Sequence, residues 1–335
     1  METKDLEERS LEERIAELDY NGGAYQNKIV QGDCLESLGW LSDNTIDCVM
    51  TSPPYWALRN YNVDGQVGQE TSPEEYVNGL CNIFDEVKRV LKPTGTCWVN
   101  MGDTYGGTGD KGKYEDPKWR GRNGQKKALN KNATSKCLLQ IPSRFAIEMC
   151  NRGWVLRNEV IWHKPNAMPS SAKDRFTVDY EKLFLFVKDS KRYYFSPQYE
   201  PYTAPMNRWG GDKLVADGES TWDEGTGQTT YRSRNMRPNS EGRNKRCVWS
   251  INTKPCRVAH FAVFPEELCE VPLLAGCPIG GLVLDPFAGS GTTGIVANRQ
   301  EKHFMGMELN PEFAEIARKR NNDTIQHNRR RQHNE

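Results

Sequence analysis

Near the C-terminal end, the short apolar run Leu282-Val283-Leu284 leads into Asp285-Pro286-Phe287-Ala288-Gly289-Ser290-Gly291-Thr292-Thr293-Gly294. An apolar run of this length without alternation reads as a strand buried on both faces, the kind found in parallel sheets covered by helices. The glycines let the backbone turn and approach a neighbour without a Cβ in the way. Thr292 to Arg299 then reads as a helix and His303 to Glu308 as a further strand. Strand, glycine turn, helix and strand make one crossover unit, and sheets built this way bind ligands at the carboxyl ends of their strands.

The rest of the chain keeps the same alternation. Lys28 to Gln31 reads as a strand, Cys34 to Leu41 as a short helix and Ile46 to Met50 as a buried strand that stops at Ser52-Pro53-Pro54, because neither proline can donate to a ladder. Ser72 and Pro73 open a helix. Its apolar residues Tyr76, Val77, Leu80, Ile83, Phe84, Val87, Val90 and Leu91 keep a helical period, and Pro93-Thr94-Gly95 is expected to end it. Strands follow at Thr96 to Met101, Val155 to Trp162 and Glu181 to Val187, with helices at Ile141 to Arg152, from Phe264-Pro265, and from Pro311 onward. The pattern predicts a doubly wound α/β fold, a mostly parallel, Rossmann-like sheet of about seven strands. Residues 188–247 carry no sustained period and are rich in Gly, Asn, Arg and Pro. They read as an embedded recognition module or an insertion.

Charge is distributed unevenly. The 335 residues hold 45 Lys and Arg against 45 Asp and Glu, which excludes a uniformly basic protein but not a local basic patch. The first twenty residues hold 3 basic and 8 acidic side chains and read as a short charged helix; residues 106–136 hold 9 and 3, residues 227–257 hold 8 and 1, and residues 318–335 hold 6 and 2. Basic loops interleaved with Tyr and Trp fit a phosphate backbone, although charge runs are commonly just solvated surface. No run reaches the ~20 apolar residues of a membrane span, and the acidic start is unlike a signal peptide. The ten cysteines contain no C-x-x-C pair, so reduced thiols in a cytoplasmic setting are expected, with no metal site.

Two strand tips carry the candidate chemistry. At the first, Gly289 to Gly294 matches G-x-G-x-x-G and brings a nicotinamide-dependent oxidoreductase into consideration. Two features oppose that reading: no second mononucleotide half follows, and Asp285 stands where a pyrophosphate would sit. A carboxylate there suits a ligand bearing an ammonium group, and the following helix N-terminus offers free N–H groups. Glu308, at the end of the next strand, is placed to accept from ribose hydroxyls. At the second tip, Thr51-Ser52-Pro53-Pro54-Tyr55-Trp56 is either an ordinary proline-rich turn or a site with free carbonyls, a hydroxyl acceptor and an aromatic face, fit for an exocyclic amine on a planar ring.

These two motifs, in this order, resemble the amino-group DNA methyltransferases of the β arrangement, in which the catalytic tetrapeptide precedes the cofactor loop. The resemblance runs from about Ile29 to Ala317 and implies transfer of a methyl group from S-adenosyl-L-methionine to a base flipped out of double-stranded DNA. Ser-Pro-Pro-Tyr is the version typical of cytosine-N4 enzymes, and Asp-Pro-Pro-Tyr of adenine-N6 enzymes. The resemblance assigns Ser52, Pro53, Pro54 and Tyr55 to catalysis: Ser52 and the Pro53 carbonyl accept the amine's hydrogens, and Tyr55 stacks on the base. Trp56 either assists or packs. For the cofactor it implies Asp33, Asp285, Phe287, Ala288, Gly289, Ser290, Gly291, Thr292 and Glu308, with His260, Phe264 and Pro265 near the methionine end. Trp162-His163-Lys164-Pro165 and Tyr180 to Val187 resemble further core segments of the family.

In the β arrangement the target-recognition region falls at about 189–250, between a catalytic half at 28–188 and a cofactor half at 251–325, with an N-terminal arm at 1–27 and a basic tail at 326–335. Arg232, Arg234, Arg237, Arg243 and Asn244, with Lys126 and Lys127 in the other basic loop, are the candidates for DNA contact, to bases or to phosphates. The expected function is site-specific cytosine-N4 methylation of DNA, in the cytoplasm and associated with the nucleoid, by a monomer or a homodimer, with a cognate restriction endonuclease as a possible partner. Adenine-N6 methylation on the same scaffold is the alternative; an oxidoreductase or a non-catalytic DNA-binding protein is more distant.

Overall fold

The computed structural model describes residues 26–58, 63–107, 134–201, 241–254 and 264–334. The described residues group into two compact units, one within Met1–Ser196 and Cys247–Glu335 and the other within Pro197–Arg246.

The large unit is an eight-stranded sheet. Its strands are β1 (Lys28–Gln31), β2 (Ile46–Thr51), β3 (Leu91–Met101), β4 (Val155–His163), β5 (Tyr180–Val187), β8 (Val248–Ser250), β9 (Leu282–Asp285) and β10 (His303–Glu308). They lie in the order β1-β10-β9-β2-β3-β5-β4-β8. Every strand but β5 runs the same way, since β3 and β4 each pair antiparallel with β5 and all other pairings are parallel. The helices are α1 (Cys34–Gly39), α2 (Pro73–Val90), α3 (Ile141–Asn151), α4 (Glu266–Gly276), α5 (Thr292–Arg299) and α6 (Pro311–Asn334). Two apolar clusters form the core. One contains α1, α2 and α3 side chains such as Leu38, Phe84 and Phe145; the other contains α4 and α5 side chains such as Leu268, Leu273 and Val296.

Local chemistry explains several boundaries. Ser72 caps α2 by accepting from the Glu75 N–H at 3.1 Å, and Glu75 reaches back to the Thr71 N–H at 3.1 Å, a reciprocal arrangement that satisfies otherwise orphaned donors. Pro93 does not separate helix from strand as its position predicts. α2 ends at Val90, and Pro93 and Gly95 lie inside β3. The β2–β3 register steps from Ile46↔Leu91 to Cys48↔Thr96, so this irregular stretch holds the proline where no ladder bond is needed.

The eighth strand, beyond the seven expected, is β8, only three residues long. Its pairing with β4, and the bonds from Tyr194 N–H to Thr94 O and from Ser196 N–H to Ala275 O, keep residues 189–196 and 247–250 with the large unit. The chain therefore leaves this unit later, and returns earlier, than the boundaries 189–250 imply. The segment 326–334 is not a separate tail, because α6 continues unbroken to Asn334.

In the small unit, β6 (Tyr199–Glu200) pairs antiparallel with β7 (Arg243–Asn244). Gly242 has φ +119°, and a Cβ there would lie 2.4 Å from the Glu200 carbonyl.

Candidate active site

The carboxyl ends of the parallel strands, together with the start of β5, share one edge of the sheet. In chain order, β9 leads to β10 and so toward β1, whereas β2 leads to β3 on the other side. The topological switch point therefore lies between β9 and β2, where such sheets form a ligand crevice. Both candidate motifs stand there. The β2–β9 pairing covers only Cys48↔Val283 and Val49↔Leu284, and beyond it the two tips are joined by side chains.

That join is Asp285. It is fully buried. Its Oδ1 accepts from Thr51 Oγ1 at 2.6 Å and from the Phe287 N–H at 3.0 Å, and its Oδ2 accepts from Thr293 Oγ1 at 2.7 Å. Burial outweighs these bonds and raises its pKa to about 6. Asp285 is thus turned inward, unlike the strand-tip carboxylate expected to meet a ligand's ammonium. It ties the glycine loop to the strand that carries Ser52.

The glycine loop divides by function. Gly289 has φ +51°, and a Cβ built there would meet nothing within 4 Å, so this position opens onto free space. Its N–H donates to Glu308 Oε2 at 2.8 Å, and the Asn310 N–H donates to Glu308 Oε1 at 2.8 Å. Burial raises the Glu308 carboxyl above its ordinary value. Gly291 and Gly294 serve packing instead. Added Cβ atoms would meet Asn321 at 2.4 and 2.1 Å respectively.

The Ser290 and Thr292 side chains are buried, and Arg320 donates to the Ser290 carbonyl at 2.7 Å and to its Oγ at 2.6 Å. These two side chains therefore serve the contact with α6, whereas the resemblance expects them at the cofactor. Arg320 and Asn321 were not among the sequence candidates. Ala288 is buried and Phe287 half-buried, while Asp33 caps α1 by accepting from the Glu36 N–H at 3.0 Å. Pro265 is buried at the start of α4, with half-buried Phe264 beside it.

At the other tip, Trp56 is 6% exposed and its indole N–H donates to the Glu70 carbonyl at 3.0 Å. Of the two roles its position allows, assisting or packing, burial and this bond fit packing. Tyr76 Oη takes the Pro54 carbonyl at 2.9 Å, and among the described residues no hydrogen bond reaches that of Pro53. Ser52 and Tyr55 are half-buried. The Tyr55 ring lies against Gly102, where an added Cβ would approach Cε2 to 2.7 Å.

Tyr55 Oη donates to Glu181 Oε2 at 2.6 Å, and Asn100 Nδ2 donates to Tyr55 Oη at 2.9 Å and to Glu181 Oε2 at 2.8 Å. Ser52 Oγ lies 3.4 Å from Tyr55 Oη and 3.5 Å from Asn100 Nδ2. Lys164 pairs with the other oxygen of Glu181. Burial first, then the charge on Glu181, pushes the Tyr55 phenol well above its ordinary value, so it stays protonated. Sequence reasoning missed Asn100 and Glu181 as site residues. The available signal was a polar residue in, or at the head of, an otherwise apolar strand.

Arg243 sits in β7 with its Nε 2.8 Å from Glu200 Oε1, which Arg246 shares at 2.6 Å. That bond makes it a brace within the small unit, contrary to a side chain free to read bases. Asn244 is exposed. Arg232, Arg234, Arg237, Lys126, Lys127, His260 and residues 1–25 of the N-terminal arm lie outside the described residues. Among the described residues no cluster suits a metal ion, and no helix is long and apolar enough to cross a membrane.

A family model described as DNA methylase (N6_N4_Mtase) matches residues 46–319. The chain is 38% identical over 294 residues to the type II methyltransferase M.SmaI of Serratia marcescens, covering 88% of this chain and 90% of that one. It is likewise 38% identical over 306 residues to M.Cfr9I of Citrobacter freundii, covering 91% and 89%. Among solved structures, the cytosine-N4-specific PvuII DNA methyltransferase superposes with a TM-score of 0.57 at 19% identity, covering 90% and 94%. A modification-methylase candidate from Thermus thermophilus, solved with S-adenosyl-L-methionine, gives 0.51 at 22% identity, covering 89% and 95%. These structural likenesses show a shared fold.

Proposed function

The chain belongs to the N6/N4 DNA methylase family and is an S-adenosyl-L-methionine-dependent DNA methyltransferase; from that premise we propose that it methylates the exocyclic N4 amine of cytosine at a specific site in duplex DNA. The observation that carries this reading is the Ser52-Pro53-Pro54-Tyr55 turn at the switch point, tied through Thr51 to the glycine loop by Asp285. Serine at its first position favours cytosine over adenine.

The open face at Gly289 fits a cofactor that needs close backbone approach. Gly289, Phe287, Glu308 and Asp33 are the residues that would hold it. When bound, the cofactor supplies a methyl group made electrophilic by its sulfonium. Asp285 shapes the loop and does not touch the ligand.

An aromatic amine is a poor nucleophile because its lone pair is delocalised into the ring. Ser52 Oγ and the Pro53 carbonyl accept the amine's two hydrogens, draw the nitrogen toward a tetrahedral form and stabilise the positive charge it develops. The exposed part of the Tyr55 ring stacks on the extruded base. Positioning supplies much of the remaining rate enhancement. The basic stretches supply backbone contact, and the region 197–246, through Arg232, Arg234, Arg237 and Asn244, reads the target. In this reading the protein serves modification beside a cognate endonuclease, at the nucleoid.

The test is to sequence DNA from a host expressing the protein with modification-sensitive detection. Modified cytosines in one short sequence context are expected. Modification confined to adenines would replace this reading with the N6 alternative.

A further inference from the structure

The hydrogen bonds behind the tetrapeptide have a direction. Glu181 is paired with Lys164, an obligate donor, and a carboxylate so paired can only accept. The single Tyr55 hydroxyl hydrogen is committed to Glu181 Oε2 at 2.6 Å, so toward every other neighbour Tyr55 Oη can only accept. Asn100 Nδ2, fixed on Glu181 and Tyr55 at 2.8 and 2.9 Å, can only donate. Ser52, 3.4 Å from Tyr55 Oη, therefore finds an acceptor for its own hydrogen on the side away from the substrate. Asn100 Nδ2, 3.5 Å away, can occupy one Ser52 lone pair from behind, which leaves the other to face the crevice. The Ser52 contacts are long, and such bonds commonly tighten once substrate is bound.

We propose that Glu181, held by Lys164, is a positioning residue that sets the direction of the chain Ser52→Tyr55→Glu181 and thereby keeps Ser52 Oγ an acceptor for the target amine. The inference rests on the reading of Ser52 given above, and it holds for either target base, since both amines present N–H donors. Glu181 does not contact the substrate.

Glu181→Gln gives the sharpest test because it preserves shape and reverses polarity. Lys164 is an obligate donor and would claim the glutamine oxygen, turning the amide nitrogen toward Tyr55 and Asn100, which are both donors in this arrangement. Tyr55 would then turn its hydrogen toward Ser52, and the Ser52 hydrogen would oppose the amine. The expected result is a fall in kcat on the order of 10²-fold, comparable to losing one positioned hydrogen bond to a reacting group. The KM for the cofactor and the DNA dissociation constant should move little. Adding Lys164→Met frees the glutamine oxygen to accept from Tyr55 and should restore part of the loss, about tenfold; a merely structural role would make the double variant worse.

Tyr55→Phe, which breaks the chain at its middle, should lower kcat as Glu181→Gln does, and the two together should not multiply. Full turnover in Glu181→Gln, or multiplying losses without rescue by Lys164→Met, overturns the proposal. If Glu181→Gln does not fold, Tyr55→Phe decides alone: undiminished kcat overturns the proposal, and a fall with unchanged DNA affinity supports it. Ser52→Ala separates the two levels. Undiminished turnover there removes the reading of Ser52 itself, whereas an inactive Ser52→Ala beside a fully active Glu181→Gln removes only this inference.

Discussion

Asp285 separates what a motif announces from what a side chain does. In sequence it looks like a ligand-facing carboxylate because it ends a strand. The structure turns it inward because Thr51, 234 positions away, and Thr293 both aim hydroxyls at it. That pairing is invisible in a single sequence, as are Asn100 and Glu181 behind Tyr55, which strand pairing with β3 and β5 assembles. By contrast, the Ser52 turn could be placed from sequence alone, because paired prolines after an apolar run leave few other structures open. The buried carboxyl makes stability depend on pH. Its folded pKa of about 6 lies above the ordinary 3.8, so the neutral form is favoured in the native state. That contribution is full below about pH 4 and is lost as pH rises through about 6, a change on the order of 3 kcal/mol. Asp285→Asn cannot titrate. Denaturation measured from pH 4 to 7 should therefore show wild-type stability falling relative to the variant, and a constant difference would show that this carboxyl titrates normally.

At the scale of elements, periodic pattern predicts well wherever burial is regular. α5 and β10 match their sequence readings at both ends. Three-residue β8 has no readable period, and β3 carries Pro93 near its start inside an irregular register; tertiary pairing decides both. The glycine motif, one string in sequence, serves two ends in the fold, and two substitutions separate them. Gly294→Ala pushes a methyl into Asn321 and Phe304 and should cost about 1–3 kcal/mol of stability through overpacking. Gly289→Ala meets no neighbour. It should cost only about 1–2 kcal/mol for its left-handed backbone, while weakening cofactor binding by placing a methyl group in the open face. Calorimetry with S-adenosyl-L-methionine and thermal unfolding distinguish the two. Unchanged cofactor affinity in Gly289→Ala would move the cofactor away from this loop.

For the whole molecule, a net charge of zero conceals a division between an acidic N-terminal segment and basic stretches at 106–136, 227–257 and 318–335. A DNA partner meets the stretches and not the average, so DNA affinity should drop on the order of 10³-fold between 50 and 200 mM salt. Fluorescence anisotropy measures this, and salt-independent binding would remove the phosphate footprint from the account. Replacing Arg232, Arg234 and Arg237 with glutamine should weaken DNA binding and spare cofactor affinity. The most direct measurement of the central claim is nucleoside mass spectrometry on duplex DNA incubated with the purified protein and S-adenosyl-L-methionine. N4-methylcytosine should appear with the wild-type protein and vanish with Ser52→Ala, whose calorimetric cofactor binding should persist. N6-methyladenine as the sole product, or N4-methylcytosine made undiminished by Ser52→Ala, would contradict it.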